Sequence, residues 1–300
     1  MDQAGALRKI GRTGGKFYGG ESGLSRGRKP NAGIKVIAVT SGKGGVGKTN
    51  IAANLAYLFS MMGKRVLLLD ADAGLANIDV LLGISPHYNL YHLFRGEKTL
   101  SEIVVRGPGG IMIVPAVSGI QEMSELSAGQ KLTLLEELDN FDEQVDMMII
   151  DTAAGIAGNV MYFNMAATDI IVVVSPDPTS LTDSYALIKV LSQQYATHHF
   201  MILANMVENV EEALEIYKRL SSAAGHFLNV SVEYLGYLIN DRYVTESVRQ
   251  QSLFTEIYPA SWASRLLEAA AKKALRGDST GSSDKGMIKF FGDAIVGQND

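Results

Sequence analysis

Residues 41–50 read SGKGGVGKTN, and their spacing matches the G-x-x-x-x-G-K-T pattern of a phosphate-binding loop, or P-loop. Its glycines would let backbone N–H groups approach phosphate oxygens closely. Lys48 would reach the β- and γ-phosphates of a nucleotide, and Thr49 would ligate Mg²⁺. We therefore predict that the nucleotide is contacted by Gly42, Lys43, Gly44, Gly45, Val46, Gly47, Lys48, Thr49 and Asn50.

Three aspartates complete the predicted chemistry, and each follows an apolar run. Asp70 and Asp72 end one such run, and Asp151 ends another. Beside a P-loop, a carboxylate at the end of a buried strand holds Mg²⁺ directly or through water. The sequence therefore predicts a metal site formed by Thr49, Asp70 and Asp151. The alternative for each aspartate is an ordinary helix cap or turn.

The P-loop contains a second lysine, Lys43, which the phosphate-binding pattern does not require. A lysine on the rim of the loop cannot easily fold back onto its own nucleotide while the loop amides fill that face. Across a two-fold axis it could act like an arginine finger on the phosphates of a second copy, a contribution worth roughly 10³–10⁵ in rate. The alternative is a solvated loop lysine.

The elements that must position these residues follow a regular alternation. Apolar runs predict strands at 34–40, 65–70, 111–116, 145–151, 169–176, 199–206 and 234–239. Helical patterns separate most of them, at 49–62, 127–139, 180–196, 208–222 and 262–275. This alternation indicates an α/β fold with a single doubly wound, mostly parallel sheet flanked by helices. Ligands of such sheets bind at the carboxyl ends of the strands.

The composition excludes several classes of protein. Apolar residues make up 47% of the chain, enough for a sizeable core, and there is no cysteine for disulfides, zinc thiolates or iron–sulfur clusters. The net charge of −5 conceals a glycine-rich segment, residues 1–33, with seven basic and two acidic side chains. No signal peptide is evident, and no apolar run approaches the ~18 residues of a spanning helix. We therefore expect a cytoplasmic protein.

Three motifs, KGGVGKT, DADAGLANID and DTAAGI, resemble in order and spacing those of the deviant-Walker-A ATPases of the MinD/ParA group. The resemblance covers about 34–275 and implies a Mg²⁺-dependent ATPase that forms a face-to-face homodimer with ATP. It implies that Lys43 crosses to the partner's phosphates, that Asp72 positions the attacking water, and that Asp151 belongs to the second switch. Ala153 departs from the family, which usually has glycine or proline there, and this puts the geometry of the second switch in question.

The same resemblance extends to the base of the nucleotide. Asn205 ends a predicted strand where the family uses an asparagine to read adenine. Asp241 matches a later loop on the adenine side, although Ile239 replaces the usual proline. The alternative for both residues is a cap or turn at the end of a strand.

The carboxyl-terminal segment MIKFFGDAIV has apolar residues at helical spacing behind a polar linker, residues 277–286. We interpret 287–297 as an amphipathic helix that lies in a membrane interface, and MinD-like proteins carry one at this place. The alternative is a helix that docks on its own domain. The predicted lipid contacts are Met287, Ile288, Phe290, Phe291 and Ile295.

At the other end, DQAGALR at 2–8 resembles the amino-terminal motif of the flagellar number regulators, FlhG or FleN, within the MinD-like group. ANIDVLLG and QEMSEL strengthen that resemblance. It implies that Gln3 stimulates FlhF, a partner GTPase of signal-recognition-particle type. It also suggests flagellar basal-body or transcription-regulator proteins as partners.

These features predict a basic amino-terminal arm (1–33), a MinD-like ATPase domain (34–276), a linker and a membrane-targeting helix. The favoured hypothesis is an ATPase that dimerises with ATP, associates reversibly with the inner face of the cell membrane and regulates flagellar number or placement. The alternatives are a MinD-type septum-placement ATPase, a ParA-type DNA partition ATPase, and a nucleotide-binding scaffold without significant turnover.

Overall fold

Apolar segments of the chain form one mixed sheet. The computed structural model describes residues 34–72, 77–116 and 125–276. Its strands are β1 Lys35–Ser41, β2 Val66–Ala71, β3 Val105–Arg106, β4 Met112–Val114, β5 Met147–Ala154, β6 Asp169–Val174, β7 His199–Val207 and β8 Ser231–Ile239. The strand order is β3-β4-β2-β5-β1-β6-β7-β8, and every neighbouring pair is parallel except β3 and β4. The predicted doubly wound, mostly parallel sheet is confirmed.

Helices connect the strands and cover both faces of the sheet. Five long helices correspond to the predicted ones: α1 Lys48–Met61, α5 Ala128–Asp139, α7 Pro178–Tyr195, α8 Val210–Phe227 and α11 Trp262–Arg276. Six shorter helices were not predicted: α2 Ile78–Leu82, α3 Leu90–Phe94, α4 Leu100–Ile103, α6 Gly158–Met165, α9 Arg242–Arg249 and α10 Phe254–Ile257. A 3₁₀ turn spans Pro108–Gly110.

The missed elements have a common physical cause. Helices of four to eight residues are too short to show a 3.6-residue periodicity, and a strand of two residues, β3, shows no alternation. The α6 segment is buried along nearly its whole length, so it lacks the polar face that would reveal a helix.

Alternate residues of the strands face different layers of helices. Leu68 packs in the same cluster as Phe59 of α1 and Leu267 of α11, on one face of the sheet. Its neighbour Leu67 packs with Leu134 of α5 on the other face. Because both faces are covered, the central strands consist mainly of near-continuous apolar runs, as the sequence predicted.

This topology places β1 at the centre, between β5 and β6, with β2 on the far side of β5. Asp70 of β2 lies opposite Asp151 of β5, which lies opposite Val39 of β1. The loop after β1 and the aspartates of β2 and β5 therefore meet at one edge.

Parts of the predicted organisation fall outside the described residues. These are the arm with Gln3, the linker, and the carboxyl-terminal segment with Met287, Ile288, Phe290, Phe291 and Ile295. No helix among the described residues is long and apolar enough to cross a membrane.

Candidate nucleotide-binding site

The P-loop owes its shape to glycines at defined positions. Gly45 and Gly47 have φ values of +79° and +85°, a region that favours glycine. Nothing lies within 4 Å of a β-carbon built on Gly44 or Gly45, so that side of the loop is open to an incoming group. Lys48 begins α1 directly after the loop, and the helix N-terminus favours an anion there.

Gly42 is required for a different reason, because α7 lies against it. A β-carbon at Gly42 would lie 2.2 Å from the carbonyl carbon of Asp183 and 2.4 Å from the backbone nitrogen of Ser184. No side chain fits at that separation, so the start of the P-loop is in direct contact with the backbone in the first half of α7.

A buried cation–carboxylate pair occupies the floor of the site. Lys48 Nζ donates to Asp151 Oδ1 at 3.2 Å, and both side chains are buried. Burial raises the pKa of Asp151, and the charge of Lys48 opposes that rise. Burial and the neighbouring Asp151 raise the pKa of Asp70 to about 8. Because two buried carboxylates lie side by side, a nearby positive charge would favour their ionised forms.

The residues present fit a divalent cation. Asp151 Oδ2 is buried and has no hydrogen-bond partner among the described residues, so one carboxylate oxygen is available as a ligand. Thr49 follows Lys48 in the first turn of α1 and supplies a hydroxyl beside it. Oxygen donors of this kind suit Mg²⁺, so Thr49 and Asp151 would hold it.

Asp70 is already engaged with the backbone. Its Oδ1 accepts from the N–H of Asp72 at 3.1 Å, and its Oδ2 accepts from Asn77 at 3.2 Å and Ile78 at 3.3 Å. Asp70 thus accepts hydrogen bonds from the backbone of Asp72 and from the start of α2. A place in the metal's coordination stays a prediction for it, and Asp72 lies directly after β2 at the same edge.

Lys43 is held by its own chain. Its Nζ lies 2.6 Å from Asp177 Oδ2 and 2.6 Å from Thr179 Oγ1, at the start of α7. The hydrogen bond from Lys43 and those from Thr179 hold the pKa of Asp177 well below its usual range. The simple alternative of a solvated lysine does not describe this side chain, because it is paired.

Sequence reasoning missed Asp177 and Thr179 as site residues. The available signal was Asp-Pro-Thr after an apolar strand, which is typical of a helix start with proline in the first turn. That pattern predicts the cap but cannot show that Lys43, far away in the sequence, reaches it.

Asn205 was predicted to read adenine, but in this structure its side chain contacts the P-loop itself. Its side chain is buried, and Nδ2 donates to the carbonyl of Val46 at 2.8 Å. The backbone of Met206 adopts φ +61° at an irregularity in β7, and its methyl group lies near Gly47. The end of β7 therefore braces the loop, and base recognition by Asn205 remains a prediction.

Asn50, in the first turn of α1, is tied to a second layer. Asn54 Nδ2 donates to the carbonyl and to Oδ1 of Asn50 at 2.8 and 2.7 Å. Asn54 Oδ1 accepts from the N–H and hydroxyl of Thr255 at 3.0 and 2.7 Å. This fully buried amide joins α1 to α10.

Asp241 caps two helices. Its Oδ1 accepts from the N–H of Tyr243 at 3.0 Å in α9, and its Oδ2 accepts from Ala263 at 3.2 Å in α11. It also lines a surface pocket of about 440 Å³ together with Trp262. Helix capping, the alternative for Asp241, accounts for both hydrogen bonds. A contact between Asp241 and adenine stays a prediction.

Ala153 causes no strain in the second switch. It is not among the residues with positive φ, and the left-handed conformation falls on Gly155, at φ +92°. The N–H of Gly155 donates to the carbonyl of Ser41 at 2.9 Å, which ties the switch to the start of the P-loop. The departure from the family pattern is therefore tolerated by the backbone.

Comparison with known proteins places the chain among relatives of similar sequence. A family model described as an AAA domain matches residues 34–219. The chain is 41% identical over 265 residues to the antiactivator FleN of Pseudomonas aeruginosa, covering 88% of this chain and 94% of that protein. It is 34% identical over 261 residues to the flagellum site-determining protein YlxH of Helicobacter pylori, covering 86% and 88%.

Solved structures share the fold. One is the septum site-determining protein MinD complexed with Mg-ADP from Pyrococcus horikoshii, with a TM-score of 0.67 and 22% identity over 83% of this chain and all of that chain. Another is the MinC:MinD complex of Aquifex aeolicus, with a TM-score of 0.65 and 24% identity over 84% of this chain and 100% of that chain. From its motifs, its fold and its relatives, the chain belongs to the FlhG/FleN family of MinD-like ATPases.

Proposed function

We propose that this protein is a Mg²⁺-dependent ATPase that dimerises with ATP and regulates the number or placement of flagella. The flagellar role rests on two similar proteins whose names describe an antiactivator and a flagellum site-determining protein. The observation that carries the switch-like mechanism is the position of Lys43. It stands half-exposed on the rim of the P-loop and is held by α7 rather than by the floor of the site.

The chemistry needs little rearrangement of the floor. Lys48 exchanges its bond with Asp151 for the β- and γ-phosphates, and the loop amides and the N-terminus of α1 surround the same oxygens. Thr49 and Asp151, with Asp70 beside them, would hold Mg²⁺, and the ion would supply positive charge to the phosphates. Asp72 would orient the attacking water, and Asn205 and Asp241 would lie towards the base.

Dimerisation gives Lys43 its catalytic role. When two copies meet face to face, Lys43 leaves Asp177 and Thr179 and reaches the partner's phosphates, where its charge stabilises the transition state. Hydrolysis then waits for the second copy, so the dimer is the state that other proteins or a membrane can recognise.

The experiment compares the wild type with Lys43→Ala and Lys48→Ala by light scattering and ATPase assays in ADP and in ATP. Lys43→Ala should bind ATP with near-normal affinity and lose hydrolysis by roughly 10³-fold or more. Lys48→Ala should lose ATP binding itself. Wild-type hydrolysis by Lys43→Ala, or a wild type that stays monomeric in ATP, would contradict the proposal.

The proposed function also includes membrane association and activation of a partner, and both of these parts rest on the sequence of the terminal segments. Residues 287–297 would insert their apolar face weakly as one copy, since about five buried side chains at roughly 1.5–3 kcal/mol each nearly cancel the ordering of about ten residues. Two copies on a dimer would bind far more tightly through effective concentration. Gln3 would then stimulate FlhF from the amino-terminal arm.

A further inference from the structure

Behind the floor of the site, three buried polar side chains from different elements form one hydrogen-bonded chain. Thr40 stands near the end of β1, Thr152 follows Asp151 in β5, and Asn164 lies in α6. Their side chains are almost fully buried. The Thr152 hydroxyl lies 3.0 Å from Thr40 Oγ1, and Asn164 Nδ2 donates to Thr40 Oγ1 at 3.2 Å.

The chain sits at an irregularity in the sheet. Val39 pairs with Asp151 and Ser41 pairs with Ala154, so β1 has one residue, Thr40, where β5 has two. This is a β-bulge, a device that re-aims side chains and is frequent beside active sites. The bulge lies between Asp151, which binds Lys48, and Gly155, later in the second switch.

The Thr152 hydroxyl has one proton and three acceptors within reach. They are the carbonyl of Val39 at 3.3 Å, Thr40 Oγ1 at 3.0 Å and the carbonyl of Ala153 at 2.9 Å. The Thr152 hydroxyl can therefore rotate between acceptors on β1 and the carbonyl of Ala153. If the shape of the bulge changes, this hydroxyl can still donate a hydrogen bond.

Asn164 limits that freedom from the side of α6. Its Nδ2 bridges Thr40 and the carbonyl of Val160, at 3.2 and 2.7 Å. Its Oδ1 is buried and has no hydrogen-bond partner among the described residues, an arrangement that is unfavourable unless another state of the site satisfies it. Such an unsatisfied group calls for an explanation beyond fold stability.

We propose that Asn164 is a positioning residue of the ATPase reaction, which acts through Thr40 and Thr152 to hold the bulge that aims Asp151 at Lys48. Asn164 touches neither nucleotide nor metal in this mechanism. It couples α6, the helix that follows the second switch, to the stem of the P-loop, so that movement of the switch changes the aim of Asp151.

The first test uses Asn164→Leu in the full chain, with Mg-ATP hydrolysis and nucleotide binding measured on the same preparation. We expect kcat to fall roughly 10- to 100-fold, because small misplacements near reacting groups have effects of that order. The KM for ATP should change less than about twofold, since the loop that binds the phosphates is untouched. A purely structural role would lower thermal stability without this split between kcat and KM.

A second pair of variants keeps the proposal testable if Asn164→Leu folds poorly. Thr152→Val removes the hydroxyl and keeps the volume, and Thr152→Ser keeps the hydroxyl. We expect Thr152→Val to reduce kcat as Asn164→Leu does and Thr152→Ser to restore most of it. In the double variant the losses should not multiply, because both act through one network.

Two control positions make hydrogen bonds outside this network: Asn159 lies on α6, and Thr168 lies in the connection between α6 and β6. Asn159 is a buried amide of α6 that accepts from the N–H of Leu126 at 2.9 Å, and Thr168 donates its hydroxyl to Val36 of β1 at 2.6 Å, far from the P-loop. Asn159→Leu and Thr168→Val should lose stability but keep kcat. Equal kcat losses in the controls, multiplicative losses in the double variant, or wild-type kcat in Asn164→Leu would each overturn the proposal.

Discussion

At the scale of single residues, the P-loop contains glycines that are needed for different reasons. Gly42 faces the backbone of α7, whereas Gly44 faces open space and lacks a positive φ. Gly42→Ala should therefore reduce the free energy of unfolding by about 1–3 kcal/mol through overpacking. Gly44→Ala, its matched control, should unfold like the wild type. Urea unfolding without nucleotide measures the free energy of unfolding of both variants. Equal values would contradict the prediction, because they would mean that α7 can shift away from the added methyl group at no cost in stability.

Asn54 makes a further prediction at this scale. Asn54→Leu would leave the N–H and hydroxyl of Thr255 without their acceptor inside the core. Each unsatisfied buried group costs about 1–3 kcal/mol, so the loss of unfolding free energy for the two groups should be about 2–6 kcal/mol. Asn50→Ala removes only an acceptor at the half-buried helix start and should cost less. A smaller loss in Asn54→Leu than in Asn50→Ala, by thermal or urea unfolding, would contradict this account of α1 and α10.

At the scale of elements, Arg65 and Asp146 join the amino-terminal ends of the neighbouring strands β2 and β5 by hydrogen bonds. The carboxylate accepts from the backbone N–H and the guanidinium of Arg65, and the hydrogen bond from that side chain lowers the pKa of Asp146 to about 2. A carboxylate whose pKa is lower in the folded state than in the unfolded chain stabilises the folded state. For an aspartate, this contribution is fully present at pH values above the pKa of the unfolded chain, which is near 4. That contribution is lost as the pH falls towards 2.

The corresponding prediction compares Asp146→Asn with the wild type by urea unfolding at several pH values. The wild type should be more stable at pH 6, and the difference should shrink steadily between about pH 4 and pH 2. A difference that stays constant over this range would mean that the charge of Asp146 is not the source. The pair lies at the edge of the sheet opposite the P-loop, so ATP affinity at pH 7 should be unchanged.

At the scale of the whole molecule, the ATPase site and the predicted membrane segment are separate in the sequence and are expected to be separable in function. Deletion of 287–297 should abolish sedimentation with liposomes and leave ATP binding unchanged. Replacement of Phe290 and Phe291 by serine is the finer control, because it keeps the chain length. Undiminished liposome binding by the truncated chain would remove the membrane part of the proposed function.

Much of the fold was predictable because it depends on local pattern. Long apolar runs and long amphipathic helices indicated the central strands and the five main helices. The P-loop, Asp70 and Asp151 were predictable because their chemistry needs particular residue types next to strand ends. The strand β3 and the short helices were not, because their segments are too short to carry a period.

The sequence by itself determined which groups can bind phosphate and cation, since lysine, threonine, glycine and aspartate at these spacings have few other uses together. Only the tertiary structure decided what each group contacts. It paired Lys43 with Asp177, engaged both oxygens of Asp70 and Asp241 with backbone N–H groups, and joined Asn164 to Thr40. These contacts join residues distant in the sequence, and their geometry follows from the packing of helices on the sheet, which no local pattern encodes.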